Sequence, residues 1–184
     1  SSNRRQVEAR GLGRLVAGPS LEERIMRIGV VSDTHNNLRN VRRIVELFNA
    51  SGVEHVVHTG DITQPKTLEV FAGLDMPLTG VFGNNDEIPA LIPVAERLGM
   101  TFVEPPLRLV WADRNILVVH DPLQLEGVQD AADVTLYGHI HRQIIERGPR
   151  SLTFNPGECA GMMAGHNAIG VVDLQDLTPT IVNF

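Results

Sequence analysis

Asp33 and His35 stand two residues apart where the apolar run Ile28-Gly29-Val30-Val31 gives way to polar residues. A carboxylate and an imidazole converging on one point suit a borderline divalent metal or, less specifically, a hydrogen-bonded acid–base pair. The pattern recurs along the chain. Asp61 follows His55-Val56-Val57-His58-Thr59-Gly60, Asn84 follows Phe82-Gly83, His120 ends Ile116-Leu117-Val118-Val119, and His139 and His141 repeat the two-residue spacing in Tyr137-Gly138-His139-Ile140-His141. Together these are two Asp, one Asn and four His. With one carboxylate shared, they fill four protein positions on each of two metals and leave places for water and substrate oxygens. Any one of the histidines alone is more simply a hydrogen-bonded core or surface residue, so the joint pattern carries the metal reading.

The elements that must position these residues are legible. Ile28, Val30 and Val31 are β-branched and favour a buried strand. In an extended chain residues i and i+2 point to the same side, so Asp33 and His35 are expected to project together from the strand's carboxyl end, where open α/β sheets place ligands. By the same geometry His139 and His141 face one site if their stretch is extended. Asn36 or Asn37 can cap a helix whose apolar positions Leu38, Val41, Ile44, Val45, Leu47 and Phe48 recur at helical spacing, and Ser51-Gly52 stops it. A second short strand over 55–61 that again ends in a carboxylate, a helix from Gln64 to Gly73 with Pro65 in its first turn, a third strand over 77–82 and a helix over 88–99 follow. From Thr101 the texture changes to short strands, expected at 101–103, 107–111, 115–119, 133–137, 143–147, 151–154, 167–173 and 179–183, with one weaker helix near 122–130. A βαβαβα first half and a strand-rich second half predict an α/β protein of two stacked mixed β-sheets flanked by helices.

Composition sets the class. A chain of 184 residues, 42% hydrophobic and 21% charged, fits one soluble domain. No apolar run approaches the roughly 20 residues that a bilayer crossing needs, and the expected home is the cytoplasm. The single Cys159 excludes an internal disulfide and is read as structural. Residues 1–25 carry five Arg against three Glu, leaving −8 for the remainder of a chain whose net charge is −6. They are read as a non-core N-terminal extension, with Met26 a natural start for a domain over 26–184; Ser20 to Glu23 has capping-box spacing. The negative balance disfavours nucleic acid or an anionic membrane as partner. It permits an anionic substrate, because two divalent cations make the local field positive.

In order and spacing, Ser32-Asp33-Thr34-His35, Thr59-Gly60-Asp61, Gly83-Asn84-Asn85-Asp86, His120 and Gly138-His139-Ile140-His141 resemble the motifs of the calcineurin-like metallophosphoesterases. Together with chain size and the Asn155-Pro156-Gly157 turn, they look like the small prokaryotic phosphodiesterase branch, over about Met26 to Phe184. The resemblance implies the four-layer metallophosphoesterase sandwich. It further implies a first metal held by Asp33, His35, Asp61 and His141, and a second by Asp61, Asn84, His120 and His139, with Asp61 bridging. The implied activity is hydrolysis of small phosphate esters, phosphodiesters preferred, by a hydroxide bridging two divalent ions. Mn²⁺ is the first choice, and Fe, Ni or Zn can replace it. Asp61, Asn84, Asn85 and His120 are the expected catalytic residues. The alternatives are a phosphomonoesterase or nucleotidase, a non-catalytic protein-binding scaffold of the same fold, and, third, a nuclease; a homo-oligomer is compatible with any of them.

Three departures from the family pattern stand out. Asn85 replaces a His or Cys, and an amide cannot act as a general acid, which favours substrates with good leaving groups. Asp121-Pro122 follows His120 where Gly is usual. Glu158 stands where Ser is usual and is expected to add negative charge near the anion site. Asp86 is read as a loop-orienting group, and His58 as either a support for Asp61 or packing beneath the strand. His55 and His166 are read as surface or structural residues, and Trp111 and Tyr137 as packing.

Overall fold

The computed structural model describes residues 25–128 and 132–184. Strands and helices alternate at first, as β1 (Arg27–Val31), α1 (Leu38–Ser51), β2 (His55–His58), α2 (Pro65–Phe71), β3 (Leu78–Val81), α3 (Ile88–Arg97) and β4 (Thr101–Val103). Strands then follow as β5 (Leu107–Trp111), β6 (Arg114–Val118), β7 (Val134–Leu136), β8 (Gln143–Arg147), β9 (Leu152–Pro156), β10 (Ala168–Asp173) and β11 (Thr178–Asn183). All eight strands expected from Thr101 onward are present. The weaker helix expected near 122–130 is instead a 3₁₀ turn over Pro122–Leu125, capped by the Asp121 carboxylate, which accepts from the Leu123 N–H. Residues 129–131 lie outside the described residues, as does the expected extension through Arg24 with its capping-box spacing. Ile25, its last residue, is buried in the core.

One sheet has six strands in the order β11-β10-β1-β2-β3-β4, and the other five in the order β5-β6-β7-β9-β8. Both are mixed. β1 through β4 run parallel, as do β6, β7 and β9, while β10, β11, β5 and β8 pair antiparallel around them. The sheets face each other across a core built from Ile28, Val30, Val57 and Val172 on one side and Ile116, Val118, Leu136 and Phe154 on the other. Side chains alternate faces along a strand, so Val31 and Val56 point the other way and pack on α1 and α2. The three α-helices of the described residues cover that outer face. The outer face of the second sheet, among the described residues, carries the 3₁₀ turn through Leu125, against Leu117, Val119 and Tyr137.

α1 shows why these residues form these elements. The Asn37 side chain accepts the Asn40 N–H, Val41, Ile44 and Phe48 form a buried stripe, and Gly52 ends the helix in a left-handed conformation at φ 71°. Trp111 packs in the inter-sheet core and against His55, whose Nε2 lies 2.7 Å from Thr79 Oγ1. His58 closes β2 fully buried, near the ring of Phe71. Its Nδ1 accepts the Gly60 N–H at 3.0 Å, so Nε2 carries the proton and donates to Thr34 Oγ1 at 3.1 Å. Burial pushes the His58 pKa down to about 3.

Two outcomes follow from this packing. Phe48 is fully buried, and Phe48→Ala should lower the unfolding free energy by about 3–5 kcal/mol in urea denaturation. His58 stays neutral in the fold, whereas the unfolded chain takes up a proton below its ordinary value of about 6.5. Its contribution is therefore intact above that pH and is lost as pH falls towards the folded value, at up to about 1.4 kcal/mol per pH unit. Urea titrations of metal-free protein across that window should give a slope about one proton shallower for His58→Gln than for wild type.

Candidate metal centre

Every candidate ligand lies just beyond the carboxyl end of a parallel strand. Asp33 and His35 follow β1, Asp61 follows β2 and Asn84 follows β3; His120 follows β6, and His139 and His141 follow β7. The carboxyl edges of the two sheets thus meet at one place. The local geometry differs from that expected. β1 ends at Val31 and β7 at Leu136, and Asp33, His35, Asp61, His139 and His141 all have left-handed backbone, with φ of 51°, 42°, 60°, 65° and 54°. Asp33 and His35 are brought together by tight turns and not by extended chain. His139 and His141 do not face one point; they part into two clusters.

The first cluster holds Asp33, His35 and His141. His35 Nε2 lies 3.7 Å from Asp33 Oδ1, and His141 Nε2 lies 3.5 Å from the same oxygen. Asp33 Oδ2 is committed elsewhere, accepting from Ser32 Oγ and from the His139 N–H at 3.0 Å. The second cluster holds Asp61, His120 and His139. His120 Nε2 lies 2.9 Å from Asn84 Oδ1, 3.2 Å from His139 Nδ1 and 3.5 Å from Asp61 Oδ2. Asp61 Oδ2 is also 3.2 Å from His35 Nε2, so this one oxygen stands between the clusters.

Main-chain bonds hold the loops in register. The N–H groups of Asp33 and His35 donate to the carbonyls of Gly60 and Asp61 at 3.1 and 3.0 Å, and the Gly138 N–H donates to the His120 carbonyl at 3.0 Å. Gly60 has φ 104°, and a Cβ there would stand 2.6 Å from His120 Nδ1. A Cβ on Gly138 would collide with Ser32 Oγ. The Asp86 carboxylate accepts the N–H groups of Asp61, Thr63 and Gly83, tying the loops after β2 and β3 as the sequence suggested. Asn155, buried behind the site, donates to the Gly138 carbonyl at 3.0 Å. His120 Nδ1 donates to the Thr59 carbonyl at 2.8 Å, which leaves Nε2 bare and aimed at the cluster.

The three departures from the family pattern take definite places. Asn85 points back at Asp61, its N–H donating to Oδ1 and its amide to Oδ2, each at 2.9 Å. Asp121 caps the 3₁₀ turn and stands 3.6 Å from His139 Nε2. Glu158 does bring its carboxylate to the site, but buried and behind His141. It is 1% exposed, with Oε2 3.3 Å from His141 Nδ1, and its position straight after a turn that leaves a buried strand was the one signal of this. Cys159 donates to the Ala168 carbonyl, and burial pushes its thiol pKa up, in keeping with a structural role. His166 is exposed and outside both clusters.

The charge balance calls for a cation. Asp33 is 0% and Asp61 1% exposed, and among the described residues neither pairs with Lys or Arg. The Asp33 carboxylate, and then that of Asp61, pull the His35 pKa up to about 10. Burial acts to raise the Asp61 pKa, but the imidazoles of His120 and His35 beside it and the two Asn85 donors outweigh it and hold the carboxyl well below its usual range. Asp33 Oδ1 and His35 Nε2 are buried without a hydrogen-bond partner. Two oxygens and imidazole nitrogens so arranged fit a divalent cation, which would satisfy both orphaned atoms at once.

Known proteins resemble this chain in sequence and fold. Residues 26–177 match the calcineurin-like phosphoesterase superfamily domain. The chain is 30% identical over 156 residues to phosphodiesterase MJ0936 of Methanocaldococcus jannaschii, covering 82% of this chain and 94% of that protein. It is 24% identical over 178 residues to phosphodiesterase YfcE of Escherichia coli K12, covering 86% and 94%. A solved archaeal phosphodiesterase superposes with a TM-score of 0.79 at 29% identity, covering 86% of this chain and 100% of the other. The zinc complex of Vps29 from Entamoeba histolytica shares the fold, with a TM-score of 0.62 at 18% identity over 86% and 91%. With its paired Asp/His clusters at the meeting edges of two mixed sheets, the chain belongs to the calcineurin-like phosphoesterase superfamily and is a metal-dependent phosphoesterase.

Proposed function

We propose that this protein hydrolyses small phosphodiesters using two divalent cations, Mn²⁺ foremost. Asp33, His35, Asp61 and His141 hold one, and Asp61, Asn84, His120 and His139 hold the other. The observation that carries the reading is Asp61 Oδ2, standing 3.2 Å from His35 and 3.5 Å from His120 as a bridge between two clusters. Bound there, such cations make a water nucleophile available near neutral pH and draw charge from the phosphoryl oxygens. The chain's own groups supply the rest. Asn85 fixes both Asp61 oxygens through its two donors and is thereby a positioning residue. The Thr59 carbonyl fixes the His120 ring so that Nε2 faces the reaction.

No general acid stands at position 85, which supports substrates whose leaving group departs without a proton. The preference for diesters draws on relatives that bear the name phosphodiesterase. The proposed setting is the cytoplasm; among the described residues no helix is long and apolar enough to cross a membrane. The scaffold reading has the Vps29 fold behind it. Both clusters carry their full set of donor side chains here, which favours the enzyme.

With added Mn²⁺, wild type should hydrolyse bis(p-nitrophenyl) phosphate faster than p-nitrophenyl phosphate. The reverse order would make it a monoesterase, and a folded, metal-free, inactive protein would favour the scaffold. Asp61→Ala should lose at least about a thousandfold in kcat, about 4 kcal/mol of barrier, and bind less metal by elemental analysis. Across aryl diesters, the rate should fall steeply as leaving-group pKa rises, and a flat dependence would reveal a proton donor elsewhere in the site.

A further inference from the structure

We infer that Glu158 is a positioning residue for His141, fixing its tautomer and ring so that Nε2 serves the first metal, an inference that rests on the dinuclear reading above. Glu158 is 1% exposed, and its carboxylate meets no Lys or Arg among the described residues. Oε2 lies 3.3 Å from His141 Nδ1, while His141 Nε2, at the opposite side of the ring, lies 3.5 Å from Asp33 Oδ1. An Nδ1–H donated to Glu158 leaves Nε2 bare for a cation, and a carboxylate behind the ring raises its basicity as a ligand.

The carboxylate is aimed by its surroundings. Its main-chain carbonyl accepts the Ala168 N–H at 3.1 Å, and the next residue, Cys159, donates its N–H to the Asp33 carbonyl at 3.2 Å. Asn40 of α1 grips the Cys159 carbonyl and Asn37 the Ala160 carbonyl, at 2.9 and 2.8 Å. The segment bearing Glu158 is therefore bolted to the loop that carries Asp33. Its remaining acceptor capacity goes to the N–H groups of Met163 at 3.0 Å and Met162 at 3.4 Å. That loop is exposed, and its Met163 lines, with His141, Ile140 and Arg142, a cleft of about 460 Å³. One buried carboxylate thus joins a candidate metal ligand to the wall of the cleft beside it.

The test is calorimetric titration of Zn²⁺ into wild type, Glu158→Ala and Glu158→Gln, with exchange-protected imidazole N–H protons observed by NMR in the Zn²⁺-loaded proteins. Wild type should take up two equivalents and show protected protons from His141 and from His120, whose Nδ1 bonds to the Thr59 carbonyl. Glu158→Ala should weaken one equivalent by about 10–100-fold, lose the His141 resonance and keep that of His120. Glu158→Gln, which keeps an acceptor oxygen but no charge, should bind more weakly than wild type by a smaller factor, and it carries the test if Glu158→Ala does not fold. Unchanged affinity for both equivalents in a folded Glu158 variant overturns the inference and leaves the dinuclear reading standing. Wild type that takes up no metal fails the dinuclear reading, and the inference with it.

Discussion

Two carboxylates, Asp33 and Asp61, are buried with no Lys or Arg beside either among the described residues. Taking a carboxylate out of water without a partner is costly enough that a fold must supply positive charge. Among the described residues the cationic side chains near them are imidazoles, and an imidazole is a cation only while protonated. The high pKa of His35 expresses the same demand, answered by a proton. A divalent ion answers it better, because it lets the histidines remain neutral donors. Asp86, Ser32, Asn85 and Glu158 can then be seen as fixing the oxygens and rings that such an ion requires.

The backbone meets a second demand. Five candidate ligands have left-handed φ, and for a residue with a Cβ this conformation costs of the order of 1 kcal/mol or more. The cost is borne because main-chain bonds between neighbouring loops over-determine it: Asp33 and His35 donate to the loop after β2, and Gly138 to the loop after β6. Parallel strands make this possible, since their carboxyl ends lie side by side and their loops leave on the same edge. The antiparallel strands β5, β8, β10 and β11 supply none of the candidate ligands.

The fold was legible where a local rule decided it. Helix α1 could be delimited from Asn37, its apolar stripe and Gly52, and the strands beyond Thr101 from short apolar runs between turns. The 3₁₀ turn was missed because Pro122 and the apolar residues after it mimic a helix start. The site residues were named because each interrupts an apolar run with a donor. Their partition was not readable from spacing: a period of two assumes extended chain, and His139 and His141 sit in turns that send them to different clusters. Nor could spacing assign Glu158 or Asn85. Their roles depend on which loop lies behind which ring, a matter of tertiary contact that motif residues alone do not encode.

The two clusters also draw on both sheets. Asp33, His35, Asp61 and Asn84 leave the six-stranded sheet, whereas His120, His139 and His141 leave the five-stranded one. An ion in either cluster is therefore a rivet through the seam of the sandwich, at the rim of the inter-sheet core. Whatever binds the folded form alone stabilises it by mass action. Metal supply in the surrounding medium then governs not only catalytic competence but also how firmly the two halves of the molecule stay together.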